Sequence, residues 1–263
     1  MTFAPVLPQS GLSGWAFLKR TMATQQATFA ATAPLKRDED YFRAKIGAIN
    51  SAEELVRDKR LLRVALTAYG LEGDVNNTFF IKKVLADGTL KEGALANRLA
   101  DKQYQKFSAA FGFGDFTTPR NKVSDFADKT LALFRARQFE TAVGNQNTDM
   151  RLALNIEREL PALAKRNVSE DSMWFAVMGN TAMRKVFEQA LSLPVSFGAI
   201  DLDRQLSTFK AKSQAMFGTA SVRQFAEPAQ LDKLVRQFLL RSDEAQTGTS
   251  AASVALQLLQ AGR

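Results

Sequence analysis

The sequence predicts an all-α protein, an irregular multi-helix bundle built from degenerate repeated helical modules. Three observations carry this. Apolar residues recur at three- and four-residue spacing over most of the chain. No stretch shows the sustained period-two alternation of β-branched residues that marks a strand. Two segments 42 residues apart end alike, Ala68-Tyr69-Gly70-Leu71 and Ala110-Phe111-Gly112-Phe113, each an aromatic followed by a glycine placed for a left-handed helix cap.

The elements follow in order. From Met1 to Ala33 the composition is Pro, Ser, Thr, Gln and Ala, with bulky residues only at intervals, and a short helix is expected from Trp15 to Phe29, docked by Trp15 and Phe17. The alternative is a frayed terminus. Tyr41, Phe42, Ile46 and Ile49 mark the next helix. Ser51 and Glu54 fit a capping box, in which the serine accepts from a first-turn amide and the glutamate reaches back to the Ser51 amide. Leu55, Leu61, Leu62, Ala65, Leu66 and Tyr69 then continue one helical stripe to Gly70.

Asn76 and Asn77 open a helix containing Phe79, Phe80, Val84 and Leu85 that Asp87-Gly88 ends, and Leu95 to Leu99 adds a turn or two. The second copy of the module starts at Asp101. Aligned on the glycines, Leu62 falls on Tyr104, Ala65 on Phe107 and Tyr69 on Phe111. Beyond a Gly- and Pro-punctuated segment from Phe113 to Pro119, helices are expected over Val123 to Val143, Asp149 to Lys165, Asp201 to Phe217 and Pro228 to Leu240. Pro161 should kink or break the second of these. Trp174 to Leu193 reads as two helices split near Gly179-Asn180, and its end from Ala190 to Leu193 is a third echo of the repeated termination. The domain plan that follows is an arm over 1–35, helical modules over 36–118 and 119–243, and a flexible tail over 244–263.

Composition excludes several chemistries. With 263 residues, 46% of them hydrophobic, the chain can bury a substantial core. Twenty Phe against three Tyr and two Trp favour rings that fill space without a hydrogen-bond partner. Cysteine and histidine are both absent. Thiolate nucleophiles, Cys-ligated metals, disulfides and imidazole general bases are therefore unavailable, and neither a Ser-His-Asp nor a Cys-His constellation can be built. No run of about 18 apolar residues is present. Met1 to Leu18 lacks a basic region and is broken by Pro5 and Pro8, so it does not read as a cleaved signal. The chain is expected in the cytoplasm, with no membrane-spanning segment.

The net charge of +8 raises a nucleic-acid reading, but the charge is diffuse: residues 1–120 carry +5 and the rest +3. The densest basic stretch, Arg57 to Arg63, is interrupted by Asp58 and reads as a solvated helix face. Phe79-Phe80-Ile81-Lys82-Lys83 interleaves rings and cations as single-stranded nucleic-acid sites do, yet at helical spacing it gives a core stripe with lysines near solvent. Carboxylates cluster at Asp38-Glu39-Asp40, Glu53-Glu54, Glu157 with Glu159, Glu170-Asp171, and Asp201 with Asp203. Each has a structural explanation as a helix-start anion or as a pair that faces different ways. The glycine clusters lack the strand and the Lys-Ser/Thr of a phosphate loop. The sequence therefore implies no catalytic residues, no cofactor and no metal. The candidate partner-binding residues are Trp15 and Phe17 in the arm, and Val254, Leu256, Leu258 and Leu259 in the tail, which either dock on their own domain or meet a partner helix.

Several longer strings resemble the bacterial family called domain of unknown function 1217. They include Ser51-Ala52-Glu53-Glu54-Leu55-Val56, the run from Asp58 to Leu66, Phe79-Phe80-Ile81-Lys82-Lys83-Val84-Leu85 and the run from Leu95 to Asp101. Tyr41-Phe42, Met178-Gly179-Asn180, the run from Leu202 to Leu206 and that from Phe238 to Ser242 extend the resemblance over Tyr41 to Ser242. It brings no active-site residues. Some members of that family are encoded beside flagellar genes, so the resemblance implies a non-enzymatic structural or interaction protein of the flagellum. Its partner is then a protein, and export through the flagellar apparatus is an option. The alternative function is a helical nucleic-acid-binding protein using the diffuse positive charge.

Overall fold

The computed structural model describes the backbone of residues 3–261 and the side chains of residues 3–244 other than Val195. The described residues form thirteen α-helices and no strand, the all-α class expected. They are α1 (Gly11–Ala30), α2 (Ala33–Lys45), α3 (Ala52–Arg57), α4 (Lys59–Tyr69), α5 (Thr78–Asp87), α6 (Leu95–Arg98), α7 (Gln103–Phe111), α8 (Phe126–Gly144), α9 (Thr148–Ala164), α10 (Glu170–Gly179), α11 (Thr181–Ala190), α12 (Leu202–Phe217) and α13 (Pro228–Ala261). No helix among the described residues is long and apolar enough to cross a membrane. Two compact units emerge: Met1–Pro5 with Thr21–Ala142, and Val6–Arg20 with Val143–Arg263. The chain thus changes unit inside α1 and inside α8, whereas the plan drawn from the sequence parted the modules at the Phe113–Pro119 segment.

The first unit is organised around α4. Seven of its eleven residues are buried, including Leu61, Leu62 and Leu66 with no exposed surface. Each such leucine contributes about 1.5–3 kcal/mol on burial. α2, α3 and α7 pack against it, and the core they share includes Phe42, Leu55, Ile81, Phe107, Phe111 and Phe134. Both ends of so buried a helix need partners other than water. At the start, Asp58 takes up an extended conformation (φ −88°, ψ 93°), and its carboxylate accepts from the amides of Arg60 and Leu61 at 3.0 Å each. It also accepts from the Tyr41 hydroxyl at 2.7 Å. The single helix expected from Ser51 to Tyr69 is therefore two, because this carboxylate competes with the helical ladder. The capping box at Ser51 is present in altered form: Ser51 accepts from the Glu54 amide at 3.2 Å, while Glu54 reaches back to the Asn50 amide at 2.7 Å.

The glycine terminations are present as expected. Gly70 lies at φ 75°, ψ 28°, and the Leu71 amide donates to the Leu66 carbonyl at 2.8 Å, which is the six-to-one bond of a left-handed helix end. Gly112 lies at φ 66°, ψ 23°, with its amide on the Ser108 carbonyl at 2.8 Å. A Cβ on Gly112 would stand 2.7 Å from the Phe116 ring. The third echo ends the same way without a glycine: Ser192 is left-handed at φ 52°, and the Leu193 amide reaches the Glu188 carbonyl at 2.8 Å. The likeness between α4 and α7 is one of endings. α7 buries only Phe107, Ser108 and Phe111, and the aligned Tyr69 is half-buried where Phe111 is fully covered. The rings of Tyr69 and Phe107 meet with centroids 5.5 Å apart.

In the second unit α9, α11 and α13 pack on one another. Trp174 of α10 stacks on Phe209 at 5.6 Å and meets Phe187 edge-on at 5.4 Å, while its indole N–H donates to the Ala220 carbonyl at 2.8 Å. Asn180 splits α10 from α11 where expected, accepting from the Met183 amide at 2.9 Å. Pro161 does not break α9, which continues to Ala164. The proline removes one donor, the amide that would reach the Glu157 carbonyl, but the buried Leu160 and Leu163 on either side hold the turn in place, and its own carbonyl accepts from the Lys165 amide at 3.3 Å. The helix expected to stop near Leu240 also runs on. Ser242 is buried and donates to Asp149, and α13 continues to Ala261 through residues that are mostly Ala, Ser, Gln and Leu.

Two outcomes follow for chemical and thermal unfolding. Gly112→Ala loses about 1–3 kcal/mol, because both φ and the Phe116 ring oppose a side chain, while Ser192→Gly leaves stability unchanged or raises it by up to about 1 kcal/mol. An unaffected Gly112→Ala would remove the cap assignment. Burial pushes the Tyr69 hydroxyl up to about 12 against the opposing hydrogen bond with Thr130. Its neutral form is favoured in the fold, so this contribution is complete below pH 10 and is lost as pH rises from 10 to 12. The loss is on the order of 2–3 kcal/mol. Tyr69→Phe should flatten that alkaline limb in urea titrations between pH 9 and pH 12.

Candidate interaction surfaces

Most of the carboxylates singled out from the sequence have partners within the fold. Asp38 accepts from Arg60 at 2.8 Å and Arg63 at 2.7 Å, and Glu39 pairs with Arg135 at 2.9 Å. Glu53 lies between Arg57 at 3.2 Å and Lys82 at 2.8 Å, the Lys82 ammonium dominating the lowering of its pKa. Glu157 pairs with Lys19 at 2.7 Å, whereas Glu159, two residues along α9, is buried and pairs with Arg158. Their different partners fit the expectation that the two face apart. Glu170 pins the turn after α12, accepting from the Ser221 hydroxyl at 2.9 Å and the Val222 amide at 3.1 Å. Asp201 caps α12 through the amides of Asp203 and Arg204. Among the described residues no group of three or more acidic side chains is arranged to hold a metal ion.

The basic stretches are engaged as well. Arg60 stacks on the Tyr41 ring at 4.6 Å, so the guanidiniums of the Arg57–Arg63 stretch bind their own unit's acids and rings. In the helix that carries the Phe79–Lys83 string, Val84 and Leu85 are buried and Phe80 meets Tyr104 edge-on at 5.3 Å, as the helical reading expects, and Ile81 is buried as well. Phe79 lies outside that stripe. It is 76% exposed, with Lys82 5.9 Å from its ring centre.

The sequence reading missed a clasp built on Asp115. The segment from Phe113 to Pro119 reads as a linker, yet the Asp115 carboxylate accepts from the Thr89 amide at 2.7 Å, the Leu90 amide at 2.9 Å and the Thr89 hydroxyl at 2.8 Å. Asn97 adds bonds to the carbonyls of Thr89 at 2.8 Å and Lys91 at 3.1 Å. Gly88 and Gly114 make this possible: a Cβ on Gly88 would sit 2.1 Å from Asp115 Oδ1, and one on Gly114 2.3 Å from the Ala86 carbonyl oxygen. The pair of glycines was the available signal, since two separated glycines allow two backbones to approach. The clasp fixes the loop that carries Leu90, 69% exposed.

Of the candidate partner-binding residues, Trp15 is only 4% exposed, its indole N–H has no hydrogen-bond partner, and the Lys19 ammonium lies 5.5 Å from its ring. It is carried by α1, a helix that runs the full length from Gly11 to Ala30. Phe17 is half-buried, with Arg20 5.6 Å from its ring. The side chains of Val254, Leu256, Leu258 and Leu259 lie outside the described residues, while the backbone that carries them is helical.

Asp115→Asn should destabilise the protein by about 1–3 kcal/mol in urea unfolding, since an amide offers one acceptor oxygen and turns donors toward donors. Burial pushes the Asp115 carboxyl up, but the Leu90 and Thr89 amides, the Thr89 hydroxyl and the Arg120 charge outweigh it, and the net shift is downward. Its contribution is present above the ordinary aspartate pKa and is lost as pH falls through the lowered one. The variant should therefore lose less stability than the parent on acidification.

Three comparisons place the chain among known proteins. Its fold is similar to that of a crystallised Agrobacterium tumefaciens protein at 21% identity, covering 92% of this chain and 98% of that one with a TM-score of 0.74, and at that identity the likeness shows the fold alone. No curated protein matches the sequence. The model of a family described as protein of unknown function, DUF1217, matches residues 68–231, a narrower span than the Tyr41 to Ser242 over which the resemblance was drawn. With well over half of its length inside that match, from the end of α4 to the first turn of α13, the chain belongs to the DUF1217 family.

Proposed function

We propose that this protein is a non-enzymatic helical interaction protein of the flagellum, acting as an exported component or as an assembly or regulatory factor. The observation that carries the interaction reading is α13, which covers its first half with buried residues up to Ser242 and then continues as helix through the apolar run from Val254 to Leu259. A helix that carries such an apolar run is suited to packing against another helix or a groove. The engagement of the acidic and basic clusters in caps and ion pairs supports a scaffold role over chemistry, and nothing in the disposition of Arg57, Arg60, Arg63 and Lys82 favours nucleic acid. The flagellar assignment rests on the family resemblance. The protein is made in the cytoplasm on this reading, with export through the flagellar apparatus for the component role.

Deletion of the gene should reduce filament number and swimming, and restoration of the full chain should return both. Filament counts by electron microscopy together with spreading in soft agar decide it. Unchanged filaments and swimming in the deletion strain contradict the assignment.

A further inference from the structure

The first half of α1 lies in the second unit, while the helix from Thr21 onward belongs to the first. Its covered positions are Gly11, Gly14, Trp15 and Leu18, the three- and four-residue spacing of a helix face laid on a core. Two of the four are glycines, so at the covered positions only Trp15 and Leu18 remove side-chain area from water. Close approach requires Gly14: a Cβ there would stand 2.5 Å from Met150 Cε of α9 and 2.0 Å from the Gln9 carbonyl oxygen. Glycines also lower the helix propensity of the turns that carry them. Trp15 is buried with its indole N–H unpaired, so seating the helix strands a donor that water satisfies when the segment is free. At the rim Lys19 pairs with Glu157 of α9 at 2.7 Å with its own side chain 46% exposed, a pair of the kind that adds little. The Asp243 carboxylate of α13 lies at the helix start, Oδ2 1.7 Å from where a Cβ on Gly11 would be. By contrast α9 buries eight residues.

We propose that Gly11 to Arg20 is a lid on the second unit, which lifts off α9 while α9, α11 and α13 stay packed, and uncovers α9 at Met150. The inference goes beyond the docking reading of α13 and stands without it. Connectivity allows the motion: apart from 6–20, the second unit is one uninterrupted stretch from Val143 onward, and the packing of α9, α11 and α13 on one another lies wholly within it. A segment anchored by two side chains, with two glycines and a stranded donor, belongs to the low-stability end of a fold, where local opening precedes global unfolding. The side of α9 that it leaves is a helix seat whose resident occupant is α1 itself. The closed lid is therefore an autoinhibitory contact, which another helix of the same pattern has to displace.

Hydrogen exchange of the full-length protein, read by mass spectrometry, should show the amides of 15–20 exchanging at least tenfold faster than those of 153–160 in α9, at a rate that low urea hardly changes. Equal protection of the two stretches means that α1 opens only when the unit unfolds, and overturns the lid. The chain has no cysteine, so single-cysteine variants separate lifting from fraying of the helix on its seat. Met150→Cys reports on the seat and Val186→Cys, fully buried on α11, on the body of the unit. A thiol reagent should label Met150→Cys at least tenfold faster than Val186→Cys, and equal labelling overturns the lid. Lys19→Glu, which sets like charge against Glu157, should speed labelling of Met150→Cys about two- to fivefold and leave that of Val186→Cys unchanged. A matching rise at both cysteines shows global loosening and overturns the lid, as does no change at Met150→Cys.

Discussion

The first unit depends on the closure of α4. A helix with most of its residues buried leaves its terminal amides and carbonyls in a region where water does not replace lost hydrogen bonds, and unsatisfied groups there cost about 1–3 kcal/mol each. Asp58 answers at one end and the left-handed turn at Gly70 at the other. These two residues allow the leucines between them to be covered on all sides. Around this axis the remaining polar interactions serve to hold neighbouring helices against it: Tyr41 on Asp58, Asp38 on Arg60 and Arg63, and the Arg137 guanidinium lying over Gly70, 2.9 Å from where a Cβ would be.

The same closure recurs at α7 and α11, and this explains why the paired aromatic-glycine endings stood out in the sequence. They mark a shared way of stopping a helix against a core. That is a local property of five or six residues, and it does not require the helices so ended to play matching roles. α4 is enclosed and α7 is half-open, and Ser192 shows that the geometry outlasts the glycine when the surrounding bonds enforce it.

What could be read from the residues was whatever is encoded over short distances. Helical periodicity, the Asn180 split, the Asp201 cap and the glycine stops all depend on neighbours within one or two turns. The break at Asp58 was hidden because the apolar stripe runs straight through it, and only the packing of Tyr41 from 17 residues away shows that the carboxylate is held for another use. The Asp115 clasp was hidden for the same reason, its acceptors lying 25 and 26 residues from the amides they bind. Pro161 does not end α9, because the donor it removes is outweighed by packing of its neighbours Leu160 and Leu163, which a local sequence rule does not register. Among the partner-binding candidates, bulk and isolation in sequence made Trp15 look like a docking residue. Those properties do not distinguish a ring that faces outward from one that fills its own core, and Trp15 is covered.

The enclosure of α4 is the claim on which the account of the first unit stands, and native-state hydrogen exchange addresses it most directly. The amides of Ala65, Leu66 and Thr67 should exchange only through unfolding of the unit, more slowly than those of α2, α5 and α7, because opening α4 means uncovering the whole core. Amides of α4 that exchange as fast as those of α5, or that exchange while α2 and α7 remain protected, would contradict it.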